Sequence, residues 1–175
     1  VIMLSSKDGL FDKARGRIWR LQARDRALVK APKVAGMSPP ELLEQLRSPE
    51  RLTRHQARSR LFDLPTAGVV AATDAWLAAL PPSDPQYEKL LCQGIGIYEG
   101  QETVRPDLLQ RLLTAQDFRA RAYGTRVVGH WADRLPDPLA LLRKQITDPH
   151  PRVRLETIVA CSYVRSPAAL EVAAQ

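Results

Sequence analysis

Leu43, Trp76, Leu109 and Leu142 stand 33 residues apart, each inside a short apolar stripe, and no other feature constrains the chain so strongly. A constant interval of that size marks a repeated supersecondary unit, because one unit cannot bury its apolar face alone and must stack on a copy of itself. The stripes are Leu42, Leu43 and Leu46; Trp76, Leu77 and Leu80; Leu108, Leu109, Leu112 and Leu113; and Leu139, Leu142 and Ile146. Spacings of three and four put each stripe on one helical face. A longer helix is expected after each short one: Glu50–Phe62, Gln86–Tyr98, Phe118–Trp131 and Arg152–Val164. Arginines on these second helices keep the same step, Arg121 and Arg154 standing 33 apart and Arg54 lying 67 before Arg121. In the second unit Glu88 takes the aligned place, which marks that unit as irregular.

Six dipeptides punctuate the array: Ser38-Pro39, Ser48-Pro49, Asp84-Pro85, Asp137-Pro138, Asp148-Pro149 and Ser166-Pro167. Each offers a side-chain oxygen as a helix cap and a proline at the first helical position, where no backbone donor is lost. The expected fold is all-α, a right-handed α-solenoid of about four and a half helical hairpins over residues 38–175. Residues 1–33 read differently: Val1–Leu4 and Gly16–Leu21 suggest short β-strands, and Lys30-Ala31-Pro32-Lys33 an extended linker. The opening at Val1 and the helical residues up to Gln175 suggest an excerpt of a longer protein.

The net charge of +7 invites a nucleic-acid reading, but its distribution argues against one. Up to Arg60 there are 14 Lys/Arg against 6 Asp/Glu, and from Leu61 onward 12 against 13. A groove tracking phosphates would carry its basic residues across successive repeats. No apolar run is long enough to span a bilayer. Cys92 and Cys161 form no C-x-x-C, and His55, His130 and His150 form no metal-binding pair, so a metal site is not expected. Nucleotide loops and nucleophile motifs are lacking, and no carboxylate pair suits hydrolysis. Trp76 belongs to the core row by register. Arg51, Arg54 and Arg58 share one helical face, as either an anion or acidic-partner surface or a solvated edge. No catalytic or cofactor-binding residue is assigned to this chain.

Asp148-Pro149-His150-Pro151-Arg152-Val153-Arg154-Leu155-Glu156 resembles the turn and second-helix start of HEAT repeats. Asp117-Phe118-Arg119-Ala120-Arg121-Ala122 and the segment Ser48–Arg54 resemble it more loosely. The resemblance implies a structural ladder from Asp117, Arg121, Asp148 and Arg154, an arginine one turn into the helix reaching turn carbonyls or the aspartate of the adjacent repeat. The succession Gly16–Leu21, Leu28–Lys33, Glu41-Leu42-Leu43, Leu52–Ala57 and Arg126–Trp131 is similar to the middle of exported dehydrogenase-like proteins of planctomycete-type bacteria. Those run from a quinoprotein-like β-propeller through HEAT repeats to a cytochrome c module. That resemblance implies that residues 1–33 end a propeller, that 38–175 are HEAT-like, and that the location is periplasmic or exported. Pyrroloquinoline quinone and haem c would belong to the parent protein, since this chain lacks the propeller body and the C-x-x-C-H motif. The expected function is a non-catalytic, monomeric scaffold that holds flanking domains or another protein. The alternative is a nucleic-acid-binding protein akin to HEAT-like DNA glycosylases.

Overall fold

The computed structural model of the protein describes Asp25 and residues 32–175. Pro32–Gln175 forms one compact unit. Among the described residues there are nine helices and no strand: α1 (Pro39–Gln45), α2 (Arg51–Phe62), α3 (Thr66–Ala78), α4 (Tyr87–Gly100), α5 (Pro106–Leu113), α6 (Phe118–His130), α7 (Pro138–Gln145), α8 (Pro151–Cys161) and α9 (Ala168–Ala173). The expected strands at Val1–Leu4 and Gly16–Leu21, and Trp19, lie outside the described residues.

The helix starts follow the predicted punctuation, with a correction to its chemistry. Asp137 caps as expected; Ser38 takes the cap position of α1 but is held by Glu41, and Ser166 lies one residue before the cap Pro167 of α9, which has no side-chain cap bond. The Glu41 carboxylate accepts from the Ser38 amide at 2.7 Å, and Asp137 Oδ1 accepts from the Ala140 amide at 2.9 Å. Ser48, Asp84 and Asp148 instead sit two residues before the caps Glu50, Gln86 and His150, and their side chains accept from those amides at 3.2, 2.7 and 2.8 Å. These are side-chain turns that hold the chain ahead of the helix. Proline explains the offset at α8: Pro151 keeps His150 extended (φ −90°, ψ 124°), so the helix waits until Pro151 itself. A second correction concerns length. α3 has 13 residues against 7 or 8 for α1, α5 and α7, so the second unit does not pair a short helix with a long one.

Packing follows chain order in the manner of stacked hairpins. α4 packs against α2, α3, α5 and α6, and α6 against α4, α5, α7 and α8, so the second helices form a continuous row. First helices meet at α1–α3 and α7–α9. All four residues of the 33-residue series are buried, Leu43 and Leu142 fully, Leu109 at 1% and Trp76 at 8% exposure. Trp76 still satisfies its indole, donating from Nε1 to Glu44 at 2.7 Å. α6 and α8 approach closely because Gly129 has no side chain. A Cβ there would lie 3.0 Å from the Ala160 Cα.

Candidate interaction surface

The turns before the second helices are tied by one repeated contact. Arg54, Arg121 and Arg154 each point Nη1 back at two carbonyls of their own turn: Ser48 and Pro49 at 2.7 and 2.8 Å, Ala115 and Gln116 at 2.8 and 2.9 Å, Asp148 and Pro149 at 2.8 and 3.1 Å. A guanidinium suits this task because its fork satisfies two acceptors from one edge and keeps another edge for a third group. Arg121 uses that second edge on the next repeat, donating from Nε and Nη2 to Asp148 at 2.7 and 3.1 Å. Desolvation pulls the Asp148 carboxyl upward, but the Arg121 contact, the His150 amide and the Arg121 charge together hold it below the ordinary 3.8.

Asp117 has a different role: it caps α6 by accepting from the Arg119 amide at 2.8 Å. In the second unit the aspartate Asp84 is held by Arg47, from the end of α1, at 2.6 Å. Glu88 reaches forward from α4 and accepts from the Gln116 and Asp117 amides at 2.6 and 2.8 Å.

Side-chain contacts link successive second helices, and clefts form a groove at α6 and α8. Between α4 and α6, Glu99 accepts from the Tyr123 hydroxyl at 2.6 Å and meets His130 Nδ1 at 2.8 Å. Burial, reinforced by Glu99, pushes the Tyr123 phenol up, so it stays protonated. Between α6 and α8, Glu156 accepts from Arg126 Nη2 at 3.1 Å and from Arg152 Nη2 at 2.5 Å. Two open clefts adjoin there. One, of about 400 Å³, lies among Phe118, Arg119, Tyr123 and Arg126. The other, of about 450 Å³, is floored by Val159 and Tyr163 beside His130. Tyr163 and Val159 are 55% and 45% exposed, so apolar surface and charged rim alternate along this edge.

Residues 105–175 match the HEAT repeats family. The matched HEAT segment takes in α5 to α9, and therefore the α6–α8 pair, the Arg121–Asp148 contact and both clefts. No curated protein and no solved structure matches the chain.

The predicted arginine row of the first unit is divided by the geometry. Arg51 is exposed, Arg54 serves its turn carbonyls, and Arg58 donates to Gln93 on α4 while its buried Nε has no partner. His55 is exposed, whereas His150 accepts from the Arg152 amide at 3.1 Å and stacks on Phe118 with ring centroids 3.5 Å apart. Among the described residues no group of His, Cys, Asp and Glu side chains is placed to hold a metal ion, and no helix is long and apolar enough to cross a membrane. Sequence reasoning missed the Glu99–Tyr123–His130 and Arg126–Glu156–Arg152 groups. Their contacts across repeats join residues 24 to 31 apart, Glu99 with Tyr123 and His130 of α6 and Glu156 with Arg126, and only the fold brings them together.

Proposed function

We propose that this chain is a non-catalytic helical-repeat scaffold that binds protein through the groove of its second helices. In its parent protein it would connect a quinoprotein-like propeller, ending in residues 1–33, to a cytochrome c domain on the exported side of the membrane. The helical stack and the HEAT repeats match support a protein-interaction scaffold, since stacked hairpins present long continuous surfaces for partners. The single observation that carries the groove is the exposed Val159 and Tyr163 on α8 beside the Arg126–Glu156–Arg152 rim, apolar contact surface edged by orienting charges. Pairing of titratable groups with one another, as at Glu99 and Glu156, supports the non-catalytic reading.

The test is cross-linking of the tagged chain in cells, followed by identification of the attached proteins, with a Val159→Asp/Tyr163→Asp variant alongside. Partners lost from the variant, including propeller and c-type cytochrome sequences, are the expected result. Equal recovery by the variant refutes the groove. Dye reduction by the purified chain with pyrroloquinoline quinone, calcium and sugars refutes the non-catalytic reading.

A further inference from the structure

One carboxylate between α6 and α8 organises two arginines from different helices. Glu156 Oε1 accepts from Nη2 of both Arg126 and Arg152, at 3.1 and 2.5 Å, and Oε2 accepts from Arg126 Nε at 3.3 Å. The Glu156 side chain is only 7% exposed, whereas those of Arg126 and Arg152 are 46% and 51% exposed. A single carboxylate balances a single guanidinium, so the second arginine leaves the wall of the cleft positively charged. Arg126 Nη1 and the Nε and Nη1 of Arg152 have no acceptor among the described residues.

Arg119 adds a third guanidinium to the same cleft. Its side chain is 76% exposed, stands 3.6 Å from Asp117, too far for a hydrogen bond, and rests over the Phe118 ring at 4.8 Å from the centroid. Phe118 is itself stacked on His150, which fixes that platform. Tyr123 donates its hydroxyl hydrogen to Glu99 and brings no anion into the cleft. Three guanidiniums therefore face Glu156, or Glu156 and Asp117 together, and positive charge is in excess either way. The excess is local: one step back, between α4 and α6, the groove carries Glu99 instead, and Asp133 stands beside the end of α6. A phosphate backbone needs positive charge along successive repeats, whereas a peptide needs it at one point.

We propose that the cleft between α6 and α8 receives an acidic segment of a protein partner, one carboxylate bridging Arg126 and Arg152 and a second meeting Arg119. This names the chemistry of the partner bound in the groove proposed above and rests on that reading. Guanidinium forks take carboxylates through paired, charge-assisted bonds. Arg126 and Arg152 are already held by Glu156, and Arg119 by Phe118, so the site gives up little side-chain freedom when the acids arrive. The buried Glu156 then has a function of its own: it sets two positive heads side by side and cancels only one of them.

A random-peptide display library is panned on the full chain at physiological salt, where weak surface attraction is screened. Enrichment of peptides carrying a pair of Asp or Glu residues is expected. The most enriched peptide, made with a fluorophore, is then titrated into the chain and followed by anisotropy. Arg119→Gln/Arg152→Gln weakens binding at least about tenfold; Arg126 stays on Glu156, so the buried carboxylate keeps a partner. Arg51→Gln/Arg143→Gln removes the same charge from exposed positions elsewhere and changes binding by less than about twofold. Arg119→Gln alone, at the most exposed of the three arginines, weakens binding about threefold. Replacing the peptide's acids by their amides weakens binding to the native chain and abolishes the difference between it and Arg119→Gln/Arg152→Gln. Selection without acidic enrichment, or equal losses in the two double variants, overturns the proposal. So does duplex DNA bound more tightly than the peptide and released by Arg119→Gln/Arg152→Gln, because the cleft then serves phosphate. If cross-linked partners in cells are lost from Val159→Asp/Tyr163→Asp but kept by Arg119→Gln/Arg152→Gln, the acidic chemistry falls and the groove stands; if both variants keep them, the groove falls as well.

Discussion

Arg121→Ala and Arg54→Ala remove the same side chain from equivalent places, yet the structure assigns them different costs. Both lose two bonds to turn carbonyls. These carbonyls are partly open to water, so that loss is about 1 kcal/mol in each case. Arg121→Ala also abandons Asp148, whose side chain is only 7% exposed and keeps a single bond, from the His150 amide. Stripping one partner from a buried pair costs about 3–5 kcal/mol. The 16% exposure of Arg121 places this pair near the lower end, about 3 kcal/mol in all. The difference of about 2 kcal/mol corresponds to roughly 6 °C in Tm for a domain of this size. Trp131, buried at the end of α6, reports the transition by fluorescence. Asp148→Asn keeps an acceptor for the His150 amide and completes a double-mutant cycle with Arg121→Ala, for which about 1.5 kcal/mol of coupling is expected. Equal melting of the two arginine variants, or coupling below about 0.5 kcal/mol, would refute the assignment of an inter-repeat ion pair.

Gly129→Ala gains about 1 kcal/mol of helix propensity but drives a methyl to 3.0 Å from the α8 backbone, so a net loss is expected; Gly68→Ala in α3, with open space around it, stabilises instead, and chemical denaturation ranks the two. Burial, then the charges of Asp117 and Glu88, push the Cys92 thiol up to about 12, so iodoacetamide at pH 8 should modify it more than about a hundredfold slower than the same cysteine in urea. The Arg105 contact holds Asp74 below 3.8, and Asp148 is lowered as well; a depressed carboxyl adds stability that is complete above 3.8 and lost as pH falls through the lowered folded value. The Asp74→Asn/Asp148→Asn variant should therefore melt lower at pH 7 and show a shallower decline of Tm below about pH 4, and an unchanged decline would refute that linkage.

The stack was legible because its signals are local and repeated. Leu43, Trp76, Leu109 and Leu142 each carry the 3.6-residue period on their own, and the shared 33-residue step turns four helices into one architecture. Cap chemistry was legible where one oxygen faces one helix, as at Asp137, and not where proline pushes the helix start two residues on, as before α8. The groove was not legible. Glu99 meets Tyr123 and His130 through the packing of α6 on α4, where a Cβ at Gly96 would lie 3.0 Å from the Tyr123 hydroxyl, and that packing leaves no trace in spacing. Arg58 illustrates the same gap: its place on a basic stripe with Arg51 was readable, but its contact with Gln93, 35 residues away, depends on how α2 and α4 lie.

The second unit shows how the repeat tolerates a broken signature. Thirty-three residues before Arg121 and Asp148 stand Glu88 and Ala115, so both halves of the ion pair are replaced together. Ala115 has no carboxylate to hold its own turn, and Glu88 supplies one from the preceding repeat by accepting from the amides of Gln116 and Asp117. The acid has moved from the turn to the helix, and the turn amides are satisfied either way. Glu88→Arg alone withdraws that acceptor and should cost about 1–2 kcal/mol, since the amides it leaves are partly hydrated. Ala115→Asp alone buries a second carboxylate, at a position only 8% exposed, near Glu88 and should cost at least as much. Combined, the two substitutions rebuild the Arg121–Asp148 arrangement one repeat earlier, and the double variant should recover most of both losses. Denaturant midpoints that simply add, with no recovery in the double variant, would show that the two interfaces are not versions of one design.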